Sequence, residues 1–282
     1  MTIINEKELL ELDPSTLLLV DTRNVMGNEE KTKELVLNDP IENTIHIKEN
    51  PFIVEAGGHN NGRSPVPTAG VVKGLYDALS QPGKEIVLFA NDNSFFHTRL
   101  YVVFKLYGYE TTLYIGSLDV LKEVAKKVEH IQLNLPTVFE DVDQLPDESL
   151  YATFENVKNS IKDPNHLLID VRERSRYLGQ GDNMDSKSGH IPTAINIPNT
   201  TLFKDGTMSL DVLQDELKDI KKFDSVTVSC GSGMSATPMF TFLHENGIPV
   251  KLYGGSFSEW IREDEPILTK ETTLKERVLD IE

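Results

Sequence analysis

Cysteine is nearly absent from this chain: Cys230 is the only one in 282 residues. One thiol permits no internal disulfide and cannot build a multi-thiolate zinc site, so no metal is expected. The expected setting is a reducing, cytoplasmic one, where a lone reactive thiol survives. Cations are scarce too, 28 Lys and Arg against 45 Asp and Glu, for a net charge of -17. That deficit disfavours nucleic acid, whose affinity rests on Lys and Arg, and disfavours anionic membrane surfaces. Solubility is its simplest reading. No stretch approaches the ~18 apolar residues of a membrane helix, and the start MTIINEKELLELDPS lacks the basic and apolar regions of a secretory signal. What is present is ordinary: 39% hydrophobic and 26% charged residues in a chain long enough for two domains.

The lone cysteine sits in VTVSCGSGMSATPMFTFLHENG (226–247). A β-branched run leads in, a small Gly-rich turn follows, and a helical pattern closes at Gly247. The first turn of a helix has unpaired N–H donors and the positive dipole end, and successive amides in a tight turn form an anion nest. Both stabilise a thiolate, so Cys230 is expected to be nucleophilic. A lone cysteine after a buried strand is by default a core residue. Gly231 and Gly233 count against that default, because a turn wrapped closely around an atom needs residues without side chains.

The chain repeats itself. VLFAN (87–91) aligns with VTVSC (226–230), and the same offset carries Gly108 onto Gly247 and LYIGSL (113–118) onto LYGGSF (252–257). Upstream, LLLVDTR (17–23) matches LLIDVR (167–172), placing Asp21 on Asp170 and His46 on Asn196. Apolar runs without alternation, such as TLLLV, EIVLFA and HLLIDV, predict strands buried on both faces. Between them VVKGLYDAL, TRLYVVFKLYG, SLDVLKEVAKKV, LDVLQDELKDI and TPMFTFLHENG predict helices. The expected fold is therefore α/β: two tandem domains, each a parallel sheet flanked by helices on both faces. The acidic, Pro-punctuated stretch 128–149 reads as the connection, and the residues after Pro266 as a helix or strap packing back on the body. Cys230 falls on Asn91, where NDNSFF replaces CGSGMS. The first copy cannot run the same chemistry and is expected to wall the site.

These residues resemble the tandem-domain rhodaneses, the sulfurtransferases that include thiosulfate and 3-mercaptopyruvate enzymes. LLIDVRERSRYLG is similar to the family's strand-plus-arginine segment, SGHIPTAINIP to its GHIPGA motif, CGSGMSA to its active-site loop, and LYGGSFSEW to its closing segment. The resemblance implies an inactive N-terminal rhodanese-like domain (1–140), a catalytic C-terminal one (150–266) and a tail (267–282). It implies that the Cys230 thiolate takes the outer sulfur of a small donor as a persulfide and passes it to an acceptor thiol, thioredoxin or cyanide. Gly231, Ser232, Gly233, Met234 and Ser235 would cradle the persulfide with their amides, as an oxyanion hole does. No cofactor is implied.

Further roles follow from the same resemblance. Arg176 matches the arginine that binds the donor's carboxylate or sulfonate, which a guanidinium fork suits; the alternative is an ion pair with Glu173 or Asp182. The loop is similar to the mercaptopyruvate type in lacking a basic residue after the cysteine, and Ser232 is then a partner for the sulfur or the donor carbonyl, or else a turn cap. The segment GQGDNMDSKSGH lacks the second arginine of the mercaptopyruvate pattern, with Lys187 as the available substitute. His59 and Arg63, in HNNGRSPVP of the first copy, could reach the donor or could lie in a loop with no role. His190 and Asp170 read as structural. Two other functions compete with this one. A dual-specificity phosphatase shares the fold but needs an arginine closing the loop, and no Arg or Lys lies between Gly231 and Phe242. A persulfide carrier or redox sensor would use the same thiolate without small-molecule turnover.

Overall fold

The computed structural model describes residues 3–180 and 184–281. The chain divides into two compact units. The first comprises residues up to Ala56, Val66–Pro146 and Asp205–Met208; the second comprises Gly57–Pro65, Asp147–Lys204 and the residues from Ser209 onward. The short segment Gly57–Pro65, which the sequence suggests is part of the first copy, therefore packs with the second unit.

In the first unit a five-stranded sheet runs in the spatial order Ile3–Ile4, Thr112–Tyr114, Glu85–Phe89, Leu17–Asp21, Thr44–His46. In the second the order is Tyr151–Ala152, Val250–Tyr253, Ser225–Ser229, His166–Asp170, Ile195–Asn196. The two orders are the same permutation, so the repeat seen in the sequence is a repeat of topology. Every pairing in both sheets is parallel. Leu17–Asp21 and His166–Asp170 are buried at every position, as central strands covered on both faces must be.

Helices fill the connections. Ala69–Leu79, Phe96–Leu106 and Leu118–Ala125 lie in the first unit; Gln214–Ile220, Thr237–Glu245 and Ser256–Arg262 lie in the second. The pattern LDVLQDELKDI predicts a helix from 210, but Leu213 adopts φ 53 and the helix begins at Gln214. The helices Glu6–Glu11, Glu29–Asn38 and Phe154–Ser160 were not read from the pattern. Each buries a single side chain, Leu9, Thr32 and Val157, so none carries a wide apolar stripe. Their caps were legible: Asn5 with Glu8 and Thr153 with Asn156 form capping boxes, and Asn28 accepts from the Lys31 amide.

Both sheets end on the same device. Asp21 accepts from the backbone N–H of Arg23 at 2.9 Å and from its Nε at 3.0 Å; Asp170 and Arg172 repeat the arrangement at 2.9 and 3.0 Å. His46 and Asn196, which align, both contact the arginine carbonyl, at 2.9 and 2.8 Å. Asp170 is thus an anchor at a strand end. Its partner Arg172 also donates to the Gly189 carbonyl at 2.7 Å and lies 4.1 Å from the Phe257 ring centre. Burial alone would lower the Arg172 pKa, but the charge and hydrogen bonds of Asp170 outweigh it and raise the pKa.

The chain after Pro266 does pack back on the second unit. Leu268 bridges His190, Thr273 and Glu276 cap the helix Leu274–Leu279, and buried Arg277 donates to the carbonyls of Pro164 at 3.1 Å and His166 at 3.0 Å.

Burial pushes two histidines down to about 4, His97 in the first unit and His166 in the second. Both are therefore neutral when folded and protonate more readily when unfolded. Stability is fully present above the ordinary histidine pKa of about 6.5 and falls as the pH drops toward 4. Each is expected to remove about 2 kcal/mol between pH 7 and pH 5. Urea unfolding at the two pH values checks this; equal midpoints would mean that neither histidine is held neutral.

Candidate active site

Ser225–Ser229 is the central strand of the second sheet, paired on one side with Val250–Tyr253 and on the other with His166–Asp170. It delivers Cys230 to the carboxyl edge of a parallel sheet, beyond Ser229 and its register partner Asp170. That edge is where open α/β sheets place their ligands. The segment after Tyr253 closes over the loop. The Phe257 and Ser258 amides donate to the carbonyls of Cys230 and Gly231 at 3.0 and 2.9 Å, and the Cys230 amide donates to Ser256 Oγ at 3.0 Å. These bonds tie the backbone of Cys230 and Gly231 to the segment after Tyr253.

The sulfur itself is enclosed, with Cys230 1% exposed. The Gly233 N–H donates to Sγ at 3.1 Å. Ser256 Oγ lies 4.0 Å from Sγ, but its single proton goes to the Tyr253 carbonyl at 2.8 Å. Ser256 holds this place at φ 51, whereas its counterpart Ser117 has φ -64 and caps a helix through the Asp119 amide. A left-handed serine is a strained conformer, and here it sets Oγ where the Cys230 amide donates to it. The expected helix terminus is less direct. The helix starts only at Thr237, so the turn, rather than the helix's first residues, brings an amide to the sulfur.

Gly233 has φ 81, and a Cβ there would lie 2.2 Å from the Gly254 carbonyl oxygen. Gly233→Ala is expected to cost about 2–4 kcal/mol of stability and to remove the amide from Sγ. Thermal unfolding together with the alkylation rate of Cys230 checks this; an unchanged rate would show that the turn tolerates a side chain.

Two cations flank the loop. An ideal Cβ on Gly231 would sit 3.1 Å from Arg63 Nη2 and 3.3 Å from Arg176 Nη2. A side chain at 231 would crowd both forks. Arg63 is held by its own backbone, whose N–H donates to Ser258 Oγ at 2.9 Å. Between the arginines lies Asp185: one carboxylate oxygen accepts from Arg63 Nη1 and the other from Arg176 Nη2 at 3.0 Å.

The residues singled out from the sequence are distributed as follows. Cys230, Gly231, Gly233, Arg63 and Arg176 converge. Ser232 is buried, and its Oγ accepts from Ser64 Oγ at 2.9 Å. Met234 is buried, and its carbonyl accepts from the Thr237 amide and hydroxyl at 3.2 and 2.9 Å, so it launches the helix. Ser235 and His59 are half-buried. Arg176 pairs with Asp185 rather than with Glu173, and Asp182 lies outside the described residues. Lys187 pairs with Asp264, so the second cation at the loop is Arg63 instead. His190 is fully buried, stacked on Tyr177 with ring centres 3.7 Å apart, with Nδ1 2.8 Å from the Tyr177 carbonyl. Burial lowers its pKa against the opposing effect of that bond. Ser64, Asp185 and Ser256 were missed, since isolated polar residues in irregular segments carry no periodic signal.

A family profile described as the rhodanese-like domain matches residues 153–263, the region that contains Cys230 and Arg176. The second unit is thus similar to the rhodanese-like domain over these residues. It is 30% identical to a mouse protein named thiosulfate sulfurtransferase over 196 residues, which are 64% of each chain. The match thus spans just under two thirds of that relative's length. It is 28% identical to an Escherichia coli K12 protein named 3-mercaptopyruvate sulfurtransferase, over 65% of this chain and 68% of the other. Among solved structures, the Tum1 protein of Saccharomyces cerevisiae superposes with a TM-score of 0.72 at 18% identity, covering 96% of this chain and 99% of the other. The fold shared with that protein therefore extends over both units. No helix among the described residues is long and apolar enough to cross a membrane.

Proposed function

We propose that this chain is a rhodanese-family sulfurtransferase that carries sulfur on Cys230. The observation that carries the reading is the buried Sγ with the Gly233 N–H 3.1 Å away, beside a residue flanked by two guanidinium groups. The Cys230 thiolate attacks the outer sulfur of a small anionic donor, thiosulfate or 3-mercaptopyruvate. The S–S bond of thiosulfate breaks and sulfite leaves with the electron pair; from mercaptopyruvate the C–S bond breaks and pyruvate leaves after taking a proton. An acceptor thiolate, thioredoxin or cyanide then attacks the outer persulfide sulfur, and the Cys230 thiolate is regenerated. Arg63 and Arg176 bind the donor's carboxylate or sulfonate, and Gly233 with Ser232 steadies the negative sulfur.

Catalysis belongs to the second unit in this reading. In the first, the position of Cys230 is held by half-buried Asn91, and the turn after it closes through Asn93 at φ 55 onto the Gly206 carbonyl at 2.7 Å. The assignment is a catalytic domain over 150–266 with a tail over 267–282, and an inactive domain over 1–140. A cytoplasmic setting suits a protein whose one thiol must stay reduced.

Steady-state sulfur transfer to cyanide, with both donors side by side, tests the reading. Turnover with either, by ping-pong kinetics, supports it. A Cys230 persulfide by mass spectrometry without turnover would make the protein a carrier. Cys230-dependent hydrolysis of an aryl phosphate would replace sulfur transfer altogether.

A further inference from the structure

We propose that Asp185 is a specificity-determining residue, an internal carboxylate that occupies the arginine pair beside Cys230 and must be displaced by an anionic sulfur donor. The inference rests on the sulfurtransferase reading. Its basis is where the acid sits and how it is bound. Each carboxylate oxygen serves a different arginine, Arg63 on one side and Arg176 on the other. Both guanidinium groups stand against Gly231, the residue after the nucleophile. This two-fork grip on a carboxylate is the grip that a donor's carboxylate or sulfonate requires. The Asp185 side chain is 4% exposed, against 36% for Arg63 and 24% for Arg176, so the acid is enclosed while the cations keep a face toward solvent.

Two further features separate displacement from simple support. Residues 184–188 form no helix or strand, so no regular hydrogen-bond ladder opposes withdrawal of the acid. Arg63 and Arg176 are also each anchored independently of Asp185. The Arg63 amide is bonded to Ser258 Oγ, and Arg176 lies in the helical turn Arg174–Tyr177. With Asp185 in place, an approaching anion meets two cations and one anion, and its apparent affinity falls by the fraction of time the pair is open. A neutral sulfur donor pays no such penalty. The acid thus sets how strongly anionic donors are favoured over uncharged ones.

The test compares the full-length wild type with Asp185→Asn and Asp185→Glu. Inorganic sulfate, a non-reacting dianion, is titrated calorimetrically into each. Asp185→Asn is expected to bind it about tenfold more tightly, with Asp185→Glu close to wild type. In turnover, Asp185→Asn is expected to lower KM for thiosulfate by a similar factor, and to raise kcat/KM for thiosulfate more than kcat/KM for a neutral dialkyl trisulfide. Sulfate affinity that is equal or weaker in Asp185→Asn would overturn the proposal and make Asp185 a support for the arginines. Thermal unfolding of each variant separates that result from loss of fold, and Asp185→Ala repeats the titration if the asparagine variant is unstable. Absence of turnover in the wild type would count against sulfur transfer, while the sulfate comparison would still decide the role of Asp185.

Discussion

Replacing Cys230 by serine is expected to abolish sulfur transfer, by at least about 10³-fold, while leaving the protein folded. The chain has no second thiol to take over. A serine hydroxyl at physiological pH is neither ionised nor able to hold a transferable sulfane sulfur. The fold should survive because the substitution keeps an acceptor where the Gly233 N–H points. The expected stability change is about 1 kcal/mol, the cost of a buried hydroxyl that retains a hydrogen bond. Alanine at the same place would orphan that amide and cost more. Incubation with donor, followed by intact-protein mass spectrometry, should show the gain of one sulfur atom in the wild type and none in the serine variant. Residual turnover in the variant would move the chemistry away from Cys230.

How far this site was legible before the structure depends on the physical origin of each part. Cys230 and its two glycines could be read because a close turn excludes side chains; Gly233 has φ 81, with the Gly254 carbonyl 2.2 Å from where a Cβ would lie. The strands were legible because burial on both faces removes polar residues from TLLLV and HLLIDV. The repeat was legible because the Asp21–Arg23 and Asp170–Arg172 anchors need the same residues at the same spacing. Helices that bury one side chain were not, since solvated helices leave only cap signals. Asp185 was hidden for a different reason. The resemblance asks for a second cation in GQGDNMDSKSGH, whereas this segment contributes an anion that organises two cations supplied from elsewhere. Arg63 comes from far along the chain, packed into the second unit by hydrogen bonds such as that from its amide to Ser258 Oγ at 2.9 Å.

Arg176→Ala and Arg63→Ala are each expected to raise the donor KM by about 10- to 100-fold, with smaller changes in kcat. The range is that of one charge-assisted bond to a ligand anion, about 1.5–3 kcal/mol. The double variant should lose less than the product of the single effects, because the two forks share one anion and share Asp185. In either single variant Asp185 keeps a salt bridge to the remaining arginine, so the donor confronts one cation already neutralised. Each single change therefore weakens the site more than half. Removing both arginines also leaves the Asp185 carboxylate enclosed without a partner, and the double variant should lose stability as well as affinity. Adding Asp185→Asn to Arg176→Ala should then recover part of the lost affinity, since Arg63 is freed for the donor. KM and kcat for thiosulfate and 3-mercaptopyruvate across these variants, with their melting temperatures, read out the whole set. A KM unchanged in Arg176→Ala would remove that residue from donor binding. Strict multiplicativity of the two single effects would show that the arginines do not grip a common anion.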